Sequence, residues 1–193
     1  MQAPSGPMTA PPLQALLTTG TLAGEWALDS RASSIRLKAA SMACLARVNG
    51  VFSEVSGNGT VGSDGRVSGT LTVAAASIDT KNTRRDTHLR SADFFDTASY
   101  PDISFTADSI RPAGWGVAVT GALTVRGRTR PLSFDAAVSV DGIAGTHTTG
   151  SGAEIWLDAE VHINRGDFGL TWNMLGLVSM RSTLMVHAVF TRR

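Results

Sequence analysis

The amino-acid sequence predicts an all-β protein: a single antiparallel β-barrel of about eight strands, with one or two short helices inserted near residues 82–97. Three observations support this fold class. Apolar residues recur at every second position in seven segments, 42% of the 193 residues are hydrophobic, and 20 are glycine. The hydrophobic content suffices for one core, and the glycine content favours turns and strands over long helices. Closure into a barrel removes the open edges that a sheet of this size exposes.

The chain is expected to begin with a proline-rich segment. Residues 1–22 hold four of the seven prolines, which predicts a mobile N-terminal tail followed by one domain over residues 23–193. Residues 13–17 are the exception within this tail, because their leucines could dock as one turn of helix.

From residue 25 onward the sequence has a period of two, which places alternate side chains on opposite faces of a strand. One face is apolar and the other mostly polar, as in antiparallel strands wetted on one side. Residues 24–28 and 48–52 add two candidates, so we expect eight or nine strands. The seven alternating segments lie within residues 35–39, 67–75, 103–108, 117–126, 132–141, 155–164 and 184–191.

One segment between residues 78 and 103 interrupts this alternation. Thr83, followed three residues later by Asp86, resembles a helix capping box, and residues 91–93 could begin a second turn. We therefore expect one or two short helices here, lying across one end of the barrel.

Many inward positions of the predicted strands are small, among them Gly69, Gly121, Ala136 and Ala159. A lining of small residues leaves a dry cavity that takes an apolar guest. Alternatively, the small residues only offset large phenylalanines in a filled core, and the pattern leaves both interpretations open. The residues expected to line a lipid-binding lumen are Leu37, Phe52, Leu71, Val73, Ile78, Phe94, Phe95, Ile103, Phe105, Leu123, Val125, Phe134, Leu157, Phe168, Leu170 and Trp172.

A long motif accompanies the insertion. It reads Thr80-Lys81-Asn82-x-x-Arg85-Asp86-x-His88-Leu89-Arg90-Ser91-x-x-Phe94-Phe95, followed by Tyr100-Pro101-Asp102-Ile103-Ser104-Phe105. Further matches are Trp26-x-x-Asp29, Gly50-x-Phe52, Gly121-x-Leu123-Thr124-Val125-Arg126-Gly127 and Arg165-x-Asp167-Phe168-Gly169. Together these residues resemble the signature of the YceI-like family of lipid-binding proteins, over about residues 25–190. The resemblance implies a lipocalin-like barrel whose tunnel holds a polyisoprenoid or another long amphiphile, and it implies a homodimer.

Two positions depart from the family pattern, because Ala32 and Ser41 stand where the family usually has histidine. This departure weakens any head-group role that depends on those histidines. The remaining candidates for head-group binding, or for a structural role in the motif, are Asn82, Arg85, Asp86, His88, Arg90 and Arg165. The arginines suit an anionic head group such as a pyrophosphate. Equally, they suit a buried loop whose backbone needs hydrogen-bond partners, which is the interpretation we favour.

We therefore expect a non-enzymatic protein that binds a long apolar or amphiphilic molecule in the barrel lumen, for carriage, storage or sequestration. The candidate ligands are a polyisoprenoid, an isoprenoid quinone or a fatty-acid derivative, and no cofactor is required. One alternative is a structural or stress-related barrel without a specific ligand. Another is a lipid-modifying enzyme, since Asp86, His88 and Ser91 lie close in sequence, although residues 86 and 88 do not face each other on a helix.

Charge and motif spacing argue against other classes of partner. Seventeen basic and 16 acidic residues leave a net charge of +1 without the dense basic stripe that nucleic-acid binding requires. The four histidines and Cys44 lack the spacing of metal ligands. No apolar run reaches the length of a membrane span, and no signal peptide is recognisable. A cytoplasmic protein without a metal is therefore expected.

Overall fold

The computed structural model describes residues 13–41, 46–114, 116–142, 153–172 and 178–193. Within them, eleven strands form one antiparallel sheet, together with helices α1 (Leu13–Thr18) and α2 (Thr83–Arg90) and two short 3-10 turns, Ala75–Ser77 and Arg165–Phe168. The strands are β1 (Gly24–Leu28), β2 (Ser34–Ser41), β3 (Ala46–Phe52), β4 (Val55–Val61), β5 (Val67–Ala74), β6 (Ile78–Asp79), β7 (Asp102–Ala113), β8 (Gly116–Val125), β9 (Arg128–Asp141), β10 (Glu154–Asn164) and β11 (Val178–Arg192).

The sheet closes on itself because β1 and β2 follow one another along the same edge of β11. Trp26 lies opposite Arg192, and Leu37 lies opposite Leu184. β4 and β3 pair in turn with β1 and β2, while β5 and β6 pair with β4 and β3. Two short strands therefore share each of three positions around the barrel wall: β1 with β2, β4 with β3, and β5 with β6. With β7 to β11 they make eight positions in up-and-down order, which confirms the predicted antiparallel barrel of about eight strands.

Strand β4 was not anticipated, because its alternation is weak. Its inward positions are Val55, Gly57, Gly59 and Val61, and the two glycines carry no apolar side chain. Backbone pairing with β1 and β5 nevertheless completes the strand. Strand formation here depends on backbone pairing with β1 and β5 rather than on an alternating apolar pattern.

The two ends of the barrel differ in what covers them. At one end, called the α2 end, lie α2 with the rest of the β6–β7 connection, the β8–β9 turn and the residues after β10. At the other, called the α1 end, lie α1 and the β4–β5 turn. The β8–β9 turn is a two-residue hairpin in which both Arg126 and Gly127 have positive φ, 49° and 68°. This is the backbone twist that tight hairpins favour.

One helix, α2, forms in the segment predicted to hold one or two. Asn82 caps its N-terminus, accepting a hydrogen bond from the Arg85 backbone N–H at 3.0 Å. The predicted capping box of Thr83 and Asp86 is therefore wrong by one residue. The Asp86 carboxylate instead accepts from the backbone N–H and the hydroxyl of Thr80, at 3.0 and 2.5 Å, because the helix packs this side chain inward.

The predicted N-terminal tail is too long at its C-terminal side. Residues 13–18 form α1, in agreement with the predicted possibility that the leucines of residues 13–17 dock as a helical turn. Leu16, Leu17 and Leu22 are 6%, 7% and 1% exposed. These leucines cluster with Trp26 and Val61, because helical spacing places Leu16 and Leu17 against the barrel end. Residues 1–12 lie outside the described residues.

Candidate functional site

A cavity of about 950 Å³ runs through the barrel interior. On β10 its lining extends from Ile155 through Leu157 and Val161 to Ile163. At about 3.4 Å per residue these positions span about 27 Å along the strand. A strand tilt of about 40° reduces this to about 20 Å along the barrel axis. The interior is therefore hollow and elongated rather than filled by the phenylalanines.

Fifteen of the sixteen residues predicted to line the lumen border this cavity; whether they contact a lipid stays a prediction. The exception is Ile78, which is fully buried behind the lining. Its side chain packs against the backbone of β3, where a Cβ on Gly50 would lie 2.7 Å from the Ile78 Cδ1 atom. The fifteen are Leu37, Phe52, Leu71, Val73, Phe94, Phe95, Ile103, Phe105, Leu123, Val125, Phe134, Leu157, Phe168, Leu170 and Trp172.

Among the lining residues that were not predicted from the sequence, two groups stand out. One is the α1 end, where Leu13, Leu17 and Leu22 border the cavity; the four-residue spacing of Leu13 and Leu17 was the available signal. The other is the wall between β4 and β5, where Gly59 lies opposite Gly69. Because neither glycine projects a side chain, the cavity reaches the backbone there.

The charged side chains and the histidine of the described lining lie at the α2 end, whereas the polar lining residues of β4 and β5 are Asn58, Thr60, Ser68 and Thr70. His88 lies edge-on to Trp172, with ring centroids 4.3 Å apart, and to Phe94 at 6.5 Å. The exposed Asp93 carboxylate lies 3.9 Å from His88 Nε2. This end therefore combines aromatic rings with hydrogen-bonding groups. The polar residues that border the cavity here are Asn82, Arg84, Arg85, His88, Asp93, Arg165 and Ser182.

Two of the predicted motif arginines bind residues of the segment that precedes α2. Arg85 donates from Nε to the Thr80 hydroxyl at 2.7 Å and from Nη2 to the Thr80 carbonyl oxygen at 2.8 Å. Arg90 donates to the carbonyl oxygens of Ala76 and Ile78, both at 2.7 Å. Neither Arg90 nor Asp86 borders the cavity. These contacts agree with a structural role for Arg85, Asp86 and Arg90.

Arg165 performs the same task in the β10–β11 connection. It is 2% exposed and donates to the carbonyl oxygens of Ser179, Leu170 and Trp172. Burial lowers the pKa of its guanidinium, yet these carbonyl dipoles favour the charged form. The guanidinium also lies 5.8 Å from the centre of the Phe94 ring. Arg165 thus holds Leu170 and Trp172 against the cavity.

The three residues weighed as a catalytic group do not form one. The Ser91 hydroxyl donates to the backbone carbonyl oxygen of His88 at 2.8 Å rather than to its imidazole. The Asp86 carboxylate is bound by Thr80, whereas the His88 ring faces Trp172. A nucleophile needs its base within hydrogen-bond reach, and the Ser91 hydroxyl is not hydrogen-bonded to the His88 imidazole.

Among the described residues, no group of histidine, cysteine or acidic side chains is arranged to hold a metal ion. In the same part of the chain, neither helix has the length and apolar composition needed to cross a bilayer.

Comparison with known proteins places the chain in a family. Residues 26–190 match the YceI-like domain. The chain belongs to the YceI-like family. Protein YceI of Escherichia coli is 35% identical over 116 residues, which cover 60% of this chain and 58% of that protein. The match thus spans less than two thirds of the curated relative.

Solved structures share the YceI-like fold. BcnA of Burkholderia cenocepacia superposes with a TM-score of 0.71 at 21% identity, covering 84% of this chain and 98% of BcnA. A polyisoprenoid-binding domain from Saccharophagus degradans superposes with a TM-score of 0.63 at 15% identity, covering 87% and 98%. At these identities the likeness establishes the fold.

The two positions without the family's histidines lie differently in the barrel. Ala32 is exposed and does not border the cavity. The turn that contains it is held by Asp29, whose carboxylate accepts from the backbone N–H groups of Arg31 and Ala32 at 2.8 and 3.2 Å. Ser41 is the last residue of β2. The β1–β2 turn therefore forms without a histidine at residue 32.

Proposed function

We propose that this YceI-like protein binds one long apolar or amphiphilic molecule inside its barrel, for carriage, storage or sequestration. The candidate ligands are a polyisoprenoid, an isoprenoid quinone and a fatty-acid derivative. The observation that supports this most directly is the elongated cavity of about 950 Å³ and its aliphatic and aromatic lining. A polyisoprenoid-binding domain with the same fold gives independent support.

The physical chemistry of the lining is sufficient for tight binding. Each methylene that leaves water contributes about 0.8 kcal/mol. A dozen methylenes therefore contribute about 10 kcal/mol, from which the loss of translational and conformational freedom is subtracted. Binding of this kind needs no strong polar contact, so the structural engagement of Arg85 and Arg165 does not oppose it.

The position of the charged groups and of His88 in the lining favours one orientation of the ligand. His88, Asp93 and Arg84 border the cavity at the α2 end, where a head group retains contact with water and with hydrogen-bond donors. The apolar chain would then extend past Phe105 and Phe134 towards the α1 end. A buried polar group without partners is costly, which disfavours the reverse orientation.

The decisive experiment is mass spectrometry of an organic extract of the purified protein. A co-purifying lipid in near-stoichiometric amount is the expected result. Protein that is consistently empty, and that takes up no long-chain lipid when it is offered, would instead favour a barrel without a specific ligand.

Blocking the cavity supplies the matched test. Val125 is 4% exposed and borders the cavity, so Val125→Trp should reduce lipid uptake while the fold is retained. Ser133→Trp adds the same indole on the exposed outer face of β9 and should leave uptake unchanged. Val73→Trp serves as a second blocking variant in case Val125→Trp does not fold. Unchanged uptake in a folded blocking variant would place the ligand outside the barrel.

A further inference from the structure

Residues that precede the matched family segment border the cavity at the end opposite α2. Leu13 and Leu17 of α1, together with Leu22, border the cavity, whereas the YceI-like match begins at residue 26. Leu17 and Leu22 are 7% and 1% exposed. An apolar wall therefore lies across the barrel end, built by the segment that precedes β1.

Barrel residues hold this segment in place. Trp26 of β1 donates from Nε1 to the Leu22 carbonyl oxygen at 3.0 Å, and Arg192 of β11 donates to the Thr21 carbonyl oxygen at 2.6 Å. The Arg192 guanidinium also lies over the Trp26 ring, 5.0 Å from its centre. Two hydrogen bonds from neighbouring strands thus fix the turn that follows α1.

The helix itself rests on the β4–β5 turn. A Cβ built on Gly65 would lie 3.4 Å from the Leu17 carbonyl oxygen, so the backbones of helix and turn are in close contact. Leu13 and Leu17, four residues apart, lie on one face of α1, and that face meets the cavity. Leu16 is also buried, in the same cluster, yet it does not border the cavity.

We propose that α1 is the floor of the ligand site, and that Leu13 and Leu17 set the longest apolar chain that the barrel accepts. The inference rests on the proposed function. With the polar groups at the α2 end, the chain terminus approaches α1, where each further methylene must either displace a leucine or remain in water. Affinity should therefore rise with chain length up to a limit and then stop rising.

The test compares truncations on two faces of the same helix in the full chain. A homologous series of n-alkanols of increasing length competes for delipidated protein, and native mass spectrometry measures the bound fraction of each. Leu13→Ala and Leu17→Ala enlarge the cavity where it meets α1. Leu16→Ala removes the same atoms from a buried side chain that does not border the cavity. Circular dichroism establishes that each variant is folded.

In the wild-type protein we expect about a fourfold gain in affinity per added methylene, up to a cut-off length. Leu17→Ala should move the cut-off to chains longer by about two or three methylenes, the carbon atoms that the truncation removes. Leu13→Ala should move it in the same direction, and Leu16→Ala should not. If Leu17→Ala does not fold, Leu13→Ala decides.

Two failures are distinguishable. A wild-type protein that binds no alkanol would refute the proposed function and the inference with it. If binding depends on chain length but the cut-off is unchanged in the folded Leu13→Ala and Leu17→Ala variants, the inference that α1 limits chain length is wrong, while the proposed binding function is retained. The same holds if Leu16→Ala moves the cut-off equally.

Discussion

Several charged side chains of the motif stabilise backbone rather than present charge to solvent. The Asp86 carboxylate is 6% exposed and accepts two hydrogen bonds from Thr80. Arg85 donates to the hydroxyl and the carbonyl oxygen of the same threonine. A buried connection must satisfy its backbone groups, and a side chain with several donors or acceptors does so with few residues. The residue types of the motif are explained by this requirement.

Asp86→Asn should destabilise the protein measurably. The amide keeps the size of the side chain but loses the charge that strengthens both bonds from Thr80, which costs about 1.5–3 kcal/mol in the free energy of unfolding. Urea denaturation measures this difference. Asp93→Asn, at an exposed position, should change stability by less than about 0.5 kcal/mol. Equal effects of the two substitutions would contradict the structural role of Asp86.

Asp79, which is partly exposed, forms an ion pair with Lys81. The Lys81 ammonium lies 2.6 Å from its carboxylate, and hydrogen bonds from the Lys81 side chain and backbone hold the pKa of Asp79 below its ordinary value of 3.8. A lowered pKa means that the pair stabilises the fold above that value and that the contribution is lost as the pH falls. In an NMR titration, Lys81→Met should raise the Asp79 midpoint. An unchanged midpoint would contradict the side-chain contribution.

Single elements depend on contacts made across the barrel end. The β8–β9 turn requires Gly127 for two separate reasons: its φ is +68°, and a Cβ there would lie 2.6 Å from the Tyr100 ring. Gly114, at the β7–β8 turn, also has a positive φ, +55°, but no atom lies within 4 Å of the position that its Cβ would take. A substitution at Gly114 therefore tests backbone strain alone, whereas a substitution at Gly127 tests backbone strain together with packing against Tyr100.

Gly114→Ala should lower the free energy of unfolding by about 1–2 kcal/mol, the cost of a left-handed residue with a side chain. Gly127→Ala should cost more, because the Tyr100 ring must also move. Chemical denaturation of both variants and of the double variant Gly127→Ala/Tyr100→Ala tests this. If the double variant does not recover the extra loss, packing against Tyr100 is not its cause.

The whole molecule combines a closed wall with a hollow centre. Pairing of β1 with β11 closes the wall, while the interior retains about 950 Å³. Side chains around such a space lack neighbours and lose dispersion contacts. A ligand that supplies these contacts binds the folded state only and therefore stabilises it.

If the proposed lipid is bound in the purified protein, its removal should lower the melting temperature. Calorimetry of protein as purified, and of protein that has been unfolded, extracted and refolded, measures the difference. Addition of a long-chain alkanol at about one hundred times its Kd should restore about 2.7 kcal/mol, but not in Val125→Trp. Identical melting temperatures of the extracted and the alkanol-saturated wild-type protein would contradict this linkage.

The homodimer that the family resemblance implies stays a prediction. Trp156 is 38% exposed on the outer face of β10, edge-on to His187 with ring centroids 5.7 Å apart, and an aromatic residue of this kind suits an interface. Light scattering of the purified protein should give the mass of two chains. A monomeric mass would refute this prediction.

The sequence alone was sufficient for the barrel class, for most strands, for α2 and for the family, because alternation and motif residues are local properties of the chain. Only the tertiary structure decided that β4 completes the wall, since the inward positions Gly57 and Gly59 carry no apolar pattern and the strand forms by pairing with β1 and β5. It also decided that the centre is hollow, because this depends on the sum of inward side chains from all eight positions. The docking of α1 was decided in the same way, because its partners Val61 and Arg192 lie far along the chain and meet it only when the barrel closes.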